Sequence, residues 1–175
     1  MSKPIDAPAT PATPAAPAAP ATPATPFEPE FIAALTTLFE DTITFNRTLG
    51  LRITTIGAEQ VTGAIDMRAD LIGHRGHQRL HGGVISATLD AMAGLAVMAA
   101  IGARHMDEPP AKRMQRFSRL GTVDMRIDYL RQAIGERFTL SAQVLRLGSR
   151  IASTQMRFMG ADGTLLATGA ATYVL

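Results

Sequence analysis

The chain has 175 residues, 46% of them hydrophobic and none of them cysteine, which suits one domain with a real core and leaves no disulfide, thiolate nucleophile or Cys-ligated zinc site. A formal net charge of +2 provides no basic stripe for a nucleic acid, though a modest positive excess is compatible with an anionic ligand. The lack of cysteine fits a reducing cytoplasm, the location we expect.

In chain order, residues 1–29 come first and carry nine of the eleven prolines, spaced among Ala and Thr. Such a segment cannot build a core; it predicts an extended, disordered tail ahead of a folded domain over 30–175. It has neither the continuous apolar run nor the positive charge of a secretory signal. Over 30–49, Phe31, Leu35, Leu38, Phe39, Thr42 and Phe45 recur at helical spacing, with Glu28 and Glu30 at the end that favours acids. This predicts one covering helix. Phe45 and Asn46 can reach a ligand from it, although an aromatic stripe on such a helix normally packs as core. Residues 51–56 and 61–67 read as two strands around a 57–60 turn.

A polar loop is expected over 70–80. Its spacing His74-x-x-His77-x-x-x-His81 invites a metal reading, but Gly73 and Gly76 disfavour the helix that would align the imidazoles, and no pattern supplies carboxylates. No metal site is expected. Arg75 and Arg79 are basic enough to meet phosphates and equally ordinary as solvated loop residues.

The stretch 80–101, LHGGVISATLDAMAGLAVMAAI, organises the rest. It is long enough to span a bilayer, but an Asp at its centre would cost about 2.5–3.5 kcal/mol there, so a buried helix wrapped by a curved sheet fits better. An Asp among Ala, Leu, Met and Val is either on an exposed face or kept for a task. The pair Gly82 and Gly83 suits a helix entrance where unpaired N–H groups meet a developing oxyanion. His81 and Asp90 lie nine residues apart, about 13 Å along a helix and on opposite faces. One helix therefore cannot bring both to one substrate. If both act on one acyl group, two copies must meet antiparallel, with Gly82 of one facing Asp90 of the other in an isologous homodimer.

Residues 103–119 are charged, contain Pro109 and Pro110, and predict a bulging insertion whose Lys112, Arg113, Arg116 and Arg119 are either solvated or available to phosphate. Then Val123, Met125, Ile127 and Tyr129 alternate with Asp124, Arg126 and Asp128, the period of a strand with one buried face. Residues 137–147, 150–159 and 164–174 follow as strands divided by Gly148-Ser149 and Asp162-Gly163 turns. The class is α+β: six antiparallel strands curved around one long helix.

His-Gly-Gly, six residues, then Asp resembles the PaaI-like acyl-CoA thioesterases of the hotdog superfamily. The runs SRLGTVDMRIDYL, GERFTLSAQVLRLGSR and ATGAATYV resemble their YigI branch, and the likeness extends from about residue 31 to the end. The resemblance implies a hotdog fold and hydrolysis of medium- to long-chain acyl-CoA by a homodimer, whose dimers can pair further into tetramers. It implies Asp90 as general base or nucleophile, the Gly82 N–H as donor to the thioester carbonyl, His81 as the residue positioning water or substrate, and the Thr122 hydroxyl as support for the Asp. Gly83, Arg131, Gly148, Ser149 and Arg150 would hold the substrate, with no cofactor beyond the CoA that the substrate carries. Arg75 stands where some relatives have an Asn that orients water, which leaves that role unassigned.

Small residues Ala87, Ala91, Ala93 and Gly94 beside Met92, Leu95 and Met98 leave room for an acyl chain, or simply allow close packing. No Gly-x-Ser-x-Gly elbow points to a serine hydrolase. Two alternatives stay open: a hotdog hydratase or dehydratase acting on acyl thioesters, and a non-catalytic acyl-CoA-binding protein, which would have no use for Asp90.

Overall fold

A computed structural model describes residues 26–175. Apart from its last few residues the proline-rich segment lies outside that range. Phe27, two residues before the expected tail ends, is already in the core at 5% exposure.

The elements run α1 (Pro29–Thr37), a π-helical turn (Leu38–Thr42), α2 (Thr44–Leu49), β1 (Arg52–Ile56), β2 (Gln60–Asp66), β3 (Ile72–His74), β4 (Arg79–Leu80), α3 (Gly82–Arg104), α4 (Pro110–Gln115), β5 (Gly121–Tyr129), β6 (Arg137–Leu147), β7 (Ile151–Gly160) and β8 (Leu165–Val174). Six strands form one antiparallel sheet in the order β1-β2-β6-β7-β8-β5, and α3 lies across it. Strand alternation supplies the inner face, on which Phe138, Leu140, Met156, Phe158 and Tyr173 meet Leu89, Met92 and Leu95 of α3. Although α3 is long and apolar enough to cross a membrane, most of it is buried in this core.

Four expectations need correction. The helix over 30–49 breaks at Ile43, whose backbone is extended (φ −74°, ψ 98°). The wide π turn before it aims Glu40 at the outer strand, where the carboxylate accepts from the Ile53 N–H at 2.6 Å and from Arg52 at 2.7 Å. That satisfies a strand-edge donor beside the β1 bulge. Gly50 ends α2 in the left-handed region (φ 73°), a conformation open to glycine.

The loop over 70–80 contains its own two-stranded hairpin, β3 with β4, where the His74 and His77 rings stack 4.7 Å apart. The segment 103–119 is not simply a solvated insertion. Arg113 is fully buried in α4, lies 4.3 Å over the Phe31 ring and pairs with Glu28, while Lys112 and Arg116 both pair with Glu108. A cation on an aromatic face with a carboxylate partner is a state in which a buried guanidinium is tolerated. Phe31 also explains Gly102, because a Cβ there would sit 2.5 Å from its ring.

The fourth correction concerns β5. A bulge between Thr122 and Asp124 shifts the register, and Val123 and Tyr129 are exposed at 63% and 54%. Met125 and Ile127 keep the expected inward face, half-buried, and Tyr129, though exposed at the sheet edge, also faces α3, where its hydroxyl bonds the Gly82 carbonyl. The envelope around α3 is correspondingly open. A stripe of Ser86, Ala87, Asp90 and Ala91 at helical spacing stays half-exposed, so the helix is not enclosed on every side.

Candidate active site

Two polar centres, one turn-and-cap and one carboxylate, lie on α3. The first is its N-terminus. His81 is the N-cap, extended at φ −68° and ψ 134°, and its Nδ1 accepts from the Gly83 N–H at 2.9 Å. Accepting there leaves the proton of neutral imidazole on Nε2. The Val84 and Ile85 N–H groups bond the His81 carbonyl at 3.0 and 3.4 Å. Of the first four helix donors only the Gly82 N–H lacks an acceptor among the described residues. Gly82 lines a cavity of about 420 Å³ together with Arg79, Ile85, Tyr129 and Arg131. The Tyr129 hydroxyl donates to the Gly82 carbonyl at 3.0 Å, and Arg131 donates to the Leu165 carbonyl at 2.9 Å.

The second centre is Asp90. Its Oδ1 accepts from the Thr122 hydroxyl at 2.9 Å and from the Tyr173 hydroxyl at 2.6 Å; the same phenol lies 2.9 Å from the Asp90 backbone carbonyl. Burial, and then the Asp90 carboxylate, push the Tyr173 phenol well above its ordinary value, so it stays protonated and remains a donor. Oδ2 has no partner among the described residues. Asp90 lines a cavity of about 290 Å³ together with Phe39, Ile43 and Phe45 and with Ala87, Ala91 and Gly94. The slot is mostly apolar, and its wall carries the Asp90 carboxylate, the Asn46 amide and the hydroxyls of Thr122 and Tyr173.

Gly82 and Asp90 line separate cavities, as eight residues of helix demand: about 12 Å along the axis. The chain by itself keeps the two centres apart. Thr122 joins Asp90 despite the 32 residues between them, whereas His81 lines a third cavity of about 530 Å³ with Gly83 and Phe45. The Gly83 amide is engaged by the His81 cap.

The residues expected to hold CoA do not gather. Arg131 stands near Gly82, while Gly148, Ser149 and Arg150 line a cavity of about 240 Å³ elsewhere. Arg104, in the last turn of α3, donates to the Leu147 and Gly148 carbonyls at 2.8 and 3.3 Å. That anchors the turn about 33 Å along the helix from Gly82. Arg75, in the tip between β3 and β4, is exposed.

Sequence reasoning missed Tyr173, whose only signal was the inward phase of β8, shared with Ala171 and Gly169. Phe45 and Asn46, weighed as ordinary core, both line the Asp90 cavity; Asn46 is buried at 4% exposure and Phe45 is 60% exposed.

Against known proteins, the thioesterase superfamily model matches residues 77–167. The chain is 35% identical over 131 residues to the medium/long-chain acyl-CoA thioesterase YigI of Escherichia coli K12, covering 75% of this chain and 84% of that one. A crystal structure of a Shewanella oneidensis protein related to the thioesterase superfamily superposes with a TM-score of 0.79 at 36% identity, over 86% of this chain and 99% of the other. Zebra fish thioesterase superfamily member 2 shares the fold, with a TM-score of 0.64 at 24% identity over 82% and 95% of the two chains. With a long helix crossing a six-stranded antiparallel sheet and a family match that includes Gly82, Asp90 and Thr122, the chain belongs to the thioesterase superfamily of hotdog-fold thioester hydrolases.

Proposed function

We propose that the protein hydrolyses medium- to long-chain acyl-CoA to fatty acid and CoA, in a homodimer whose sites combine Gly82 of one subunit with Asp90 of the other. The observation that carries this reading is the Asp90 carboxylate: one oxygen held by two hydroxyls, the other unpartnered among the described residues, in a mostly apolar slot. A half-buried charge with fixed orientation suits chemistry better than packing. The named activity of the YigI relative points the same way.

In this mechanism the thioester carbonyl lies against the Gly82 N–H, whose alignment with the helix dipole stabilises the oxyanion as it forms. Asp90 Oδ2 takes a proton from water as the hydroxyl adds to the carbonyl carbon; collapse breaks the C–S bond, and the proton passes to the departing thiolate. Attack by Oδ2 itself would instead break the C–S bond, expel the CoA thiolate and give a mixed anhydride, which water then opens to the fatty acid and the free Asp90 carboxyl. The acyl chain occupies the slot of Phe39, Ile43, Phe45, Ala91 and Gly94. His81 caps the oxyanion helix and orients the substrate from its rim, and Arg131 meets the CoA end.

The test is free-thiol release from acyl-CoAs of graded chain length by wild type and Asp90→Asn, each checked for folding and assembly. Loss of activity in a folded Asp90→Asn dimer is the expected result. Full activity in that variant removes Asp90 from the chemistry, and acyl-CoA binding without thiol release by wild type would replace the enzyme reading with a binding one.

A further inference from the structure

We infer that Tyr173 is a positioning residue of the reaction: its hydroxyl fixes the Asp90 carboxylate so that Oδ2, and not Oδ1, faces the substrate. The inference rests on the reading of Asp90 as the acting group, and it assigns a role to a residue that lies 83 positions away on the last strand.

Tyr173 is 3% exposed, and its hydroxyl lies 2.6 Å from Oδ1. A phenol has one proton to give, and the shorter contact, to the charged oxygen, is the stronger acceptor. Thr122 donates to the same Oδ1 at 2.9 Å. Two donors from adjacent strands, β8 and β5, converge on one atom, so rotation about the Cβ–Cγ bond would break both. Thr122 sits beside the β5 bulge and is exposed, whereas Tyr173 is locked by the core with its ring against Gly94 of α3. Tyr173 is therefore the fixed arm of the clamp and Thr122 the accessory one.

The elements around the slot bring no competing charge. The π turn contributes Phe39, α2 contributes Phe45 and Asn46, α3 contributes Ala87, Ala91 and Gly94, β5 contributes Gly121 and Thr122, and Asp90 is the only ionised side chain in the lining. The hydroxyls of Thr122 and Tyr173 are its whole polar support among the described residues.

Tyr173→Phe removes the hydroxyl and retains the ring. The expected result is a folded dimer with kcat reduced roughly tenfold or more, the range of a hydrogen bond to a charged group, and KM within about twofold of wild type. A purely structural role would lower stability and leave the kcat of the folded protein unchanged. If Tyr173→Phe folds poorly, fluorotyrosine placed at position 173 alone keeps ring and hydroxyl while changing the donor strength of the phenol, and kcat is expected to change at an unchanged KM. Equal kcat in the folded Tyr173→Phe variant, or an unchanged kcat in the fluorotyrosine protein, overturns the inference. Asp90→Asn, run in parallel, separates the two levels: an inactive Asp90→Asn beside a normal Tyr173→Phe refutes only the clamp, while an active Asp90→Asn refutes the reading beneath it.

Discussion

Gly82→Pro tests the oxyanion site with little else disturbed. Proline is favoured at the first position of a helix because its missing N–H has no intrahelical partner there, and Gly82 is that position of α3. The residue before a proline must be extended, and His81 already stands at φ −68° and ψ 134°. A Cβ on Gly82 would meet the Tyr129 ring at 3.4 Å, which that exposed ring can yield to by a few tenths of an ångström. The substitution thus deletes one N–H and no hydrogen bond seen among the described residues. Loss of an oxyanion donor removes about 2.7–4 kcal/mol of transition-state stabilisation, or roughly 10²–10³ in kcat. Stability should hold or rise by about 0.4–1 kcal/mol, since proline restricts the unfolded chain. Thiol-release kinetics with thermal unfolding on the same preparations give both numbers. Gly82→Ala, which adds the carbon but keeps the N–H, is the control. A folded Gly82→Pro dimer with kcat within about threefold of wild type would refute the assignment of this N–H to the oxyanion.

Two further outcomes follow from the same geometry and from the charge pairs. Inactive Asp90→Asn and Gly82→Pro proteins, unfolded together and refolded, should regain about a quarter of wild-type activity, because half of the dimers are mixed and each mixed dimer has one intact site; no recovery when mixed dimers are shown to form would place both residues in one subunit's site. The second concerns Glu108, whose carboxyl is held down to about 2 by its hydrogen bonds to Arg116 and then Lys112. A folded-state value below the ordinary 4.5 means that the clamp contributes fully above pH 4.5 and loses its contribution as pH falls toward 2. Wild type should melt roughly a degree or two above Glu108→Gln near neutral pH, the modest effect of pairs whose cations are exposed, and the gap should narrow as pH falls toward 2. A gap that is constant across that range would show that the ion pairs contribute nothing to it.

What the sequence made legible follows from the range of each interaction. The α3 helix, its glycine entrance and the strands of the sheet are written in local periodicity, and the separation of His81 from Asp90 is fixed by helix geometry before any packing is known. The partners of Asp90 are not local. Thr122 is reached only by the fold of β5, and Tyr173 arrives from β8, where it reads as one more inward-facing aromatic of an alternating strand. Arg113 was illegible for the same reason: among lysine and arginine in a proline-flanked segment it looks solvated, until α1 brings Phe31 beneath it and Glu28 beside it. The Val123 register failed because a bulge changes phase without changing composition.

The half-exposed stripe of α3 ties these observations together. Ser86, Ala87, Asp90 and Ala91 are small or polar and half-exposed, while Val84, Ile85, Thr88, Leu89 and Met92 around them are buried, and Ser86 lies midway between Gly82 and Asp90. An antiparallel copy of α3 whose two-fold axis passes Ser86 would set each Gly82 level with the other chain's Asp90, and side chains this small permit the close helix approach, about 8 Å, that such a crossing needs. The edge strand β5, with Val123 and Tyr129 exposed, flanks the same opening. In a lone subunit the carboxylate and the Gly82 N–H stay about 12 Å apart along the helix; in such a pair each would serve a site completed by the other chain.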